Sequence, residues 1–209
     1  ILNGGRGQTT AAAARAALGV LNVGVDYLDG LGLLWNSANS LSVLPGAAYV
    51  PSSSTVLTAA ATITKSSLTL SESTKYHIYL FDNAGSADIE IVTTGPSAKY
   101  GGAGRTKTGD TTRRYLGSIY TAAANTIIRF KHSGAKMMYL ADHTAAPLAV
   151  LSNGVATTST NISLAGCVPE TAVAASMFFW SSTANAVVLY LNDADIGAVT
   201  STNSQLSMA

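Results

Sequence analysis

Residues 75–82, Lys-Tyr-His-Ile-Tyr-Leu-Phe-Asp, leave this chain little freedom in its choice of fold. Aromatic and β-branched side chains suit a pleated surface. Alternation sets Tyr76, Ile78 and Leu80 on one face and His77, Tyr79 and Phe81 on the other. Large side chains on both faces need cover on both, so the segment is expected to lie centrally in a sheet. Asp82-Asn83-Ala84-Gly85 then reads as a hairpin loop. Residues 87–92 return with Ile89 and Ile91 inward and Asp88 and Glu90 outward, and Gly95-Pro96 ends the pair.

The period of two recurs after Gly19. Residues 33–35 and 41–44 are apolar runs, the second leading to a Pro45-Gly46 turn from which residues 47–50 return. Residues 55–65 alternate throughout and read as one half-buried strand. Residues 114–120 and 126–132 form a further pair, and Ser133-Gly134-Ala135 turns into residues 136–141. Beyond Pro147, residues 148–151, 157–164, 172–180 and 186–191 read as four more strands. Short strands with turns roughly every 8 to 12 residues predict a mainly β fold, an antiparallel β-sandwich or jelly roll. Trp35 and Trp180 fall in apolar runs and are expected in the core. An inner boundary is expected near residue 146.

Residues 4–20 are built differently. Gly4, Gly5 and Gly7 open a turn, Thr9 or Thr10 can cap a first helical turn, and residues 11–18 are nearly all strong helix formers. Gly19 suits the left-handed residue that ends a helix. So short a helix needs a partner, since about 12 to 15 residues are required for even marginal stability alone. Its alanine faces allow close approach of backbones.

The string Gly-Gly-x-Gly-x-Thr-Thr-Ala-Ala-x-Ala-Arg-x-Ala-Leu-Gly at residues 4–19 resembles a junction in bacteriophage tail fibres, where it follows a shaft and precedes a head domain. Pro45-Gly46-Ala47-Ala48-Tyr49-Val50, Tyr76-His77-Ile78-Tyr79-Leu80 and residues 107–118 look like modules of tail fibre proteins. The resemblance implies a junction with a short α-helix at residues 1–26, a β-sandwich head at 27–209, and assembly as a homotrimer. It also implies a virion protein made in the host bacterial cytoplasm, joined to other tail proteins on its N-terminal side and touching the host surface. An alanine-rich linker helix without special role is the plainer reading of the same residues.

Only 11% of residues are charged, against roughly 25% in ordinary soluble domains. Mean hydropathy is +0.28. Burial of surface between copies of the chain accounts for this, as does a hydroxyl-rich monomeric β-protein. The net charge of +1 supplies no field that would draw nucleic acid or an anionic membrane. No apolar run reaches the roughly 18 residues of a membrane span. Because the chain opens on Ile1 and has no charged leader, it is expected to be a segment of a longer protein. Cys167 is the sole cysteine and reads as a buried, inert thiol.

No enzyme signature stands out, and neither cofactor nor metal is expected. Gly101-Gly102-Ala103-Gly104 lacks the Gly-Lys-[Ser/Thr] ending and the helix of a nucleotide loop. His77, His132 and His143 are isolated, and residues 192–195 lack the glycine and distal glutamate of a calcium loop. Asp88 and Glu90 share a strand face at about 7 Å, the one carboxylate pair that a glycan-degrading alternative would use.

Cations concentrate elsewhere. Lys99, Arg105, Lys107, Arg113 and Arg114 are five of the chain's 12 basic residues. They read either as an anion-contacting patch or as partners of Asp110 or of a neighbouring subunit's carboxylate. Residues 97–112 are the longest unpatterned stretch, and such loops are often functional. Tyr100, Arg105, Lys107, Asp110, Arg113 and Tyr115 are therefore the candidate ligand-binding residues, with Tyr100, Arg105 and Lys107 contacting an anionic glycan. Attachment to a host cell-surface polysaccharide or lipopolysaccharide is the expected function. A tailspike component that degrades glycan and a purely structural fibre spacer are the alternatives.

Overall fold

The computed structural model describes residues 24–142, 144–152, 161–179, 187–189, 199–201 and 206–208. The expected helix at 11–18, Trp180, His143 and residues 192–195 lie outside them. The described residues are mainly β, with every strand pair antiparallel and no helix. The chain divides into two units, residues 1–141 and 142–209.

The first unit carries β1 (Leu28–Gly30), β2 (Leu33–Ser37), β3 (Ser40–Val43), β4 (Gly46–Val50), β5 (Thr55–Ala59), β6 (Ile63–Lys65), β7 (Lys75–Asn83), β8 (Ser86–Val92), β9 (Thr106–Lys107), β10 (Asp110–Tyr120), β11 (Phe130–Ser133) and β12 (Lys136–Tyr139). They form sheets β1-β4-β5, β2-β3-β6 and β8-β7-β10-β9, with β11-β12 as a separate hairpin. The first two sheets match strand for strand. β1 runs on into β2, β3 into β4 and β5 into β6, so one three-stranded ribbon turns a corner. The alternating stretch 55–65 is thus two strands in two sheets, broken at residues 60–62. Likewise β4 pairs with β1 and β5 rather than returning along β3.

Glycine makes the corner. Gly30 and Leu31 both hold positive φ, 66° and 55°. Gly30 faces Gly46 across the β1–β4 ladder, and a Cβ on Gly46 would lie 2.5 Å from the Leu31 nitrogen. Leu31 N–H donates to Pro45 O at 3.3 Å, and Leu44 N–H donates to Gly32 O at 2.9 Å, sewing the bend.

β7 lies between β8 and β10, as its two apolar faces require. Its residues Tyr76, Ile78 and Leu80 share one core with Ile89, Ile119, Leu33, Leu41, Val43, Ala48 and Ala59. Trp35 packs against this core half-buried, its indole N–H donating to Ile127 O at 3.2 Å. The β7–β8 loop is the two residues Ala84 and Gly85, at φ 52° and 90°, the left-handed pair that tight hairpins favour. Other expectations change. The hairpin loop expected at residues 82–85 is shorter, residues 97–112 hold β9 and the start of β10, and of residues 126–132 only the end is strand. The expected pair of 114–120 with 126–132 does not form as a ladder: β10 pairs with β7 and β9, β11 with β12, and Ile127 makes a single bridge to Thr121.

In the second unit, β13 (Met177–Phe179) pairs with β16 (Leu206–Met208), and β14 (Val187–Leu189) pairs with β15 (Val199–Ser201). Residues 148–151 are turn and irregular chain rather than strand, as are 161–164 and 172–176. Cys167 is half-buried, and burial pushes its thiol pKa up.

Gly46→Ala should destabilise the fold by about 1 to 3 kcal/mol through overpacking at the corner. Gly85→Ala meets no neighbouring atom and should lose only the left-handed preference, about 1 kcal/mol. Chemical denaturation of both variants measures the contrast.

Candidate functional site

The register of the four-stranded sheet sets one set of side chains opposite the core. Glu90 stands beside Tyr79 and Asp88 beside Phe81 on the β7–β8 ladder, and Tyr115 stands beside Tyr79 on the β7–β10 ladder. Glu90 is the hub. Lys107 Nζ reaches its Oε1 at 2.9 Å and Arg113 Nε its Oε2 at 3.2 Å, all three side chains being about a quarter exposed or less. The Arg113 guanidinium lies over the Phe81 ring, 4.0 Å from its centroid. Its Nη1 donates to Thr112 Oγ1 at 2.8 Å.

Thr112 continues the chain of bonds. Its hydroxyl and its amide both donate to Asp110 Oδ1, at 2.6 and 2.9 Å. The Thr112 hydroxyl is the main cause holding the Asp110 carboxyl below its usual range, helped by Arg113 and Lys107. Asp88 is paired separately, with Lys65 at 2.8 Å. Burial works to raise the Asp88 pKa, yet the Lys65 bond and the Ile89 amide together outweigh it and leave it lowered. Farther along the face, the Tyr115 hydroxyl meets Ser118 Oγ at 2.7 Å, which meets His77 Nδ1 at 2.8 Å. The Tyr79 ring sits 5.7 Å from that of Tyr115, and its hydroxyl donates to Thr94 O.

The stretch 97–105 is closed rather than open. Ser97 N–H donates to Thr106 O at 2.7 Å, Tyr100 N–H to Gly104 O at 3.0 Å and Gly104 N–H to Gly101 O at 2.7 Å. Tyr100 turns inward. Its ring lies 5.5 Å from the Arg114 guanidinium, its hydroxyl is buried, and burial raises its pKa. Arg105 donates from Nη1 to Ser97 O at 2.8 Å.

Of the six candidate residues, Lys107, Asp110, Arg113 and Tyr115 therefore gather along the outward face. Tyr100 and Arg105 belong to the neighbouring hairpin-like loop. Phe81 and Glu90 complete the site and were not among the candidates. A four-residue loop at residues 82–85 would set Asp88 beside Tyr79; the loop is the two residues Ala84 and Gly85, and this register brings Glu90 there instead. Lys107 and Arg113 pair with Glu90 of their own chain. Arg114 is bonded to backbone carbonyls. Among the described residues, no group of three His, Cys, Asp or Glu side chains could hold a metal, and no helix is long and apolar enough to cross a membrane. Compared with known protein families, curated proteins and solved structures, the chain matches none.

Glu90→Gln removes the hub charge and leaves two cations adjacent. The pairs are partly solvated, so the loss should be about 1 kcal/mol and should shrink with added salt. Asp88 and Asp110 both have lowered folded pKa values, so their contribution is present above about 3.8 and is lost as pH falls through those values. Asp88→Asn and Asp110→Asn should each flatten the acid limb of a stability–pH curve.

Proposed function

We propose that this chain is the distal part of a phage tail fibre or similar tail appendage, a β-sandwich head that attaches to a host cell-surface glycan. The arrangement that carries this reading is the outward Phe81–Arg113–Glu90–Lys107 cluster. An arginine stacked on one face by an aromatic ring and oriented by a carboxylate keeps N–H groups in a fixed fork, suited to hydroxyls and acids. It stands on the paired strands β7, β8, β9 and β10 rather than on a loose loop, and rigid placement lowers the ordering cost of binding. Stacking of a sugar ring on Tyr115 would add apolar contact. The junction-like string at residues 4–19 and the 11% charged fraction support the fibre assignment and a homotrimer. Asp88 and Glu90 are each engaged by cations, which favours binding over glycan cleavage.

A glycan array with the intact chain tests the reading. A receptor binder retains a polysaccharide unchanged, a depolymerase shortens it, and a structural spacer retains none. Arg113→Ala should weaken retention by about 1 to 3 kcal/mol, as for a hydrogen bond to a charged group, with little change in melting because Lys107 remains on Glu90. Light scattering should give about three times the 21.3 kDa chain mass. A monomer mass at micromolar concentration would refute the trimer.

A further inference from the structure

The β11–β12 hairpin is a two-stranded sheet of its own, yet β11 lies against β2, and Phe130, Met137 and Tyr139 belong to or lie against the common core. Its hydrogen bond to β2 comes from a side chain. Leu33 N–H donates to His132 Nδ1 at 2.8 Å. That geometry fixes the chemistry of the ring. Nδ1 must carry its lone pair, so the proton sits on Nε2 and the imidazole is neutral. An imidazolium has N–H groups at both positions and cannot accept from Leu33. Protonation would set two N–H groups against each other and leave a strand-edge donor without a partner.

Among the strands packed around the ring no carboxylate stands by to compensate a positive charge. β2 reads Leu-Leu-Trp-Asn-Ser and has no ionisable side chain. β11 contributes Lys131 and β12 contributes Lys136 and Tyr139, while Arg129 just before β11 stacks over Trp35. No Asp or Glu occurs in any of the three strands. On β10, Gly117 lies against the Leu33 side chain and carries no charge. His132 is half-buried, and burial pushes its pKa down, opposed by a backbone interaction with Gly134.

We propose that His132 is a proton-sensitive latch: its neutral imidazole holds the β11–β12 hairpin on the edge of β2, and protonation releases the hairpin. The direction follows from linkage. A histidine whose pKa is lower folded than unfolded contributes stability above about 6.5, the unfolded value, and that contribution is lost as pH falls below it. The released state uncovers the Leu33 amide and the β2 edge while leaving β7, β8 and β10 paired.

Amide hydrogen exchange on the intact chain tests this at about pH 7.5 and about pH 5, on either side of the unfolded histidine pKa, corrected for intrinsic rates. Protection at Leu33 should fall by about tenfold or more in acid, with Ile78 and Leu80 unchanged. His132→Asn keeps a short acceptor that does not titrate, so its Leu33 protection should be equal at both pH values. Equal protection of Leu33 in the parent chain overturns the proposal, as does an acid loss in His132→Asn as large as the parent's. Should that variant fail to fold, the proton titration of His132 in the parent chain decides. A midpoint below about 6.5 supports the latch, and a midpoint at or above it refutes it.

Discussion

Arg114 is a charge placed where charges are rarely tolerated. It is 3% exposed, on the core side of β10, and burial pushes its guanidinium pKa below the usual value. Removing a cation from water is costly unless its donors are satisfied. Here Nη2 donates to Asp26 O at 3.0 Å and Nη1 to Arg105 O at 3.2 Å, the buried Nε has no hydrogen-bond partner, and the Tyr100 ring covers the guanidinium. Asp26 and Tyr100 both favour the charged form electrostatically. One side chain thereby ties β10 to the segment before β1 and to the stretch 97–105. Glycines let the three meet. Gly104 lies against the Tyr100 ring, and Gly102, at φ 49°, leaves room for the Asp26 carboxylate, which accepts from Ala103 N–H.

The candidate face depends on this tie. Lys107 leaves the closed stretch as part of β9, and Arg113 immediately precedes Arg114 on β10. Alternation sends Arg114 inward and Arg113 outward. The inward residue anchors the strand, and the outward one reaches Glu90 and Phe81. The mixed cation–carboxylate–aromatic cluster on paired strands is held by its own ion pairs and ring contact, the kind of support that a preorganised site requires.

Local patterning made β7 and its hairpin legible. Both faces of β7 are large and apolar or aromatic, and Ala84-Gly85 occupies the turn. The corner was not legible, because alternation runs unbroken through residues 60–62 and side-chain period does not report a bend in the backbone. Nor were the partners of Lys107 and Arg113, which lie 17 and 23 positions from Glu90 and meet it only once β10 pairs with β7. Residues 97–105 look unpatterned since their order comes from backbone bonds closed across a glycine turn. For Tyr100 the type was read and the direction was not: a tyrosine beside glycines suits an exposed stacking platform equally well, and only Arg114 draws it inward. Residues 148–151 are apolar enough for a strand, yet apolar content alone does not choose between strand and turn.

The most direct measurement is amide exchange on the intact chain carrying Arg114→Met, which keeps the length of the side chain and removes its donors. If Arg114 fixes the stretch 97–105, the amides of Ser97, Tyr100 and Gly104 should lose about tenfold or more of their protection while Ile78 and Leu80 in β7 keep theirs. Unchanged protection at those three amides would contradict the account.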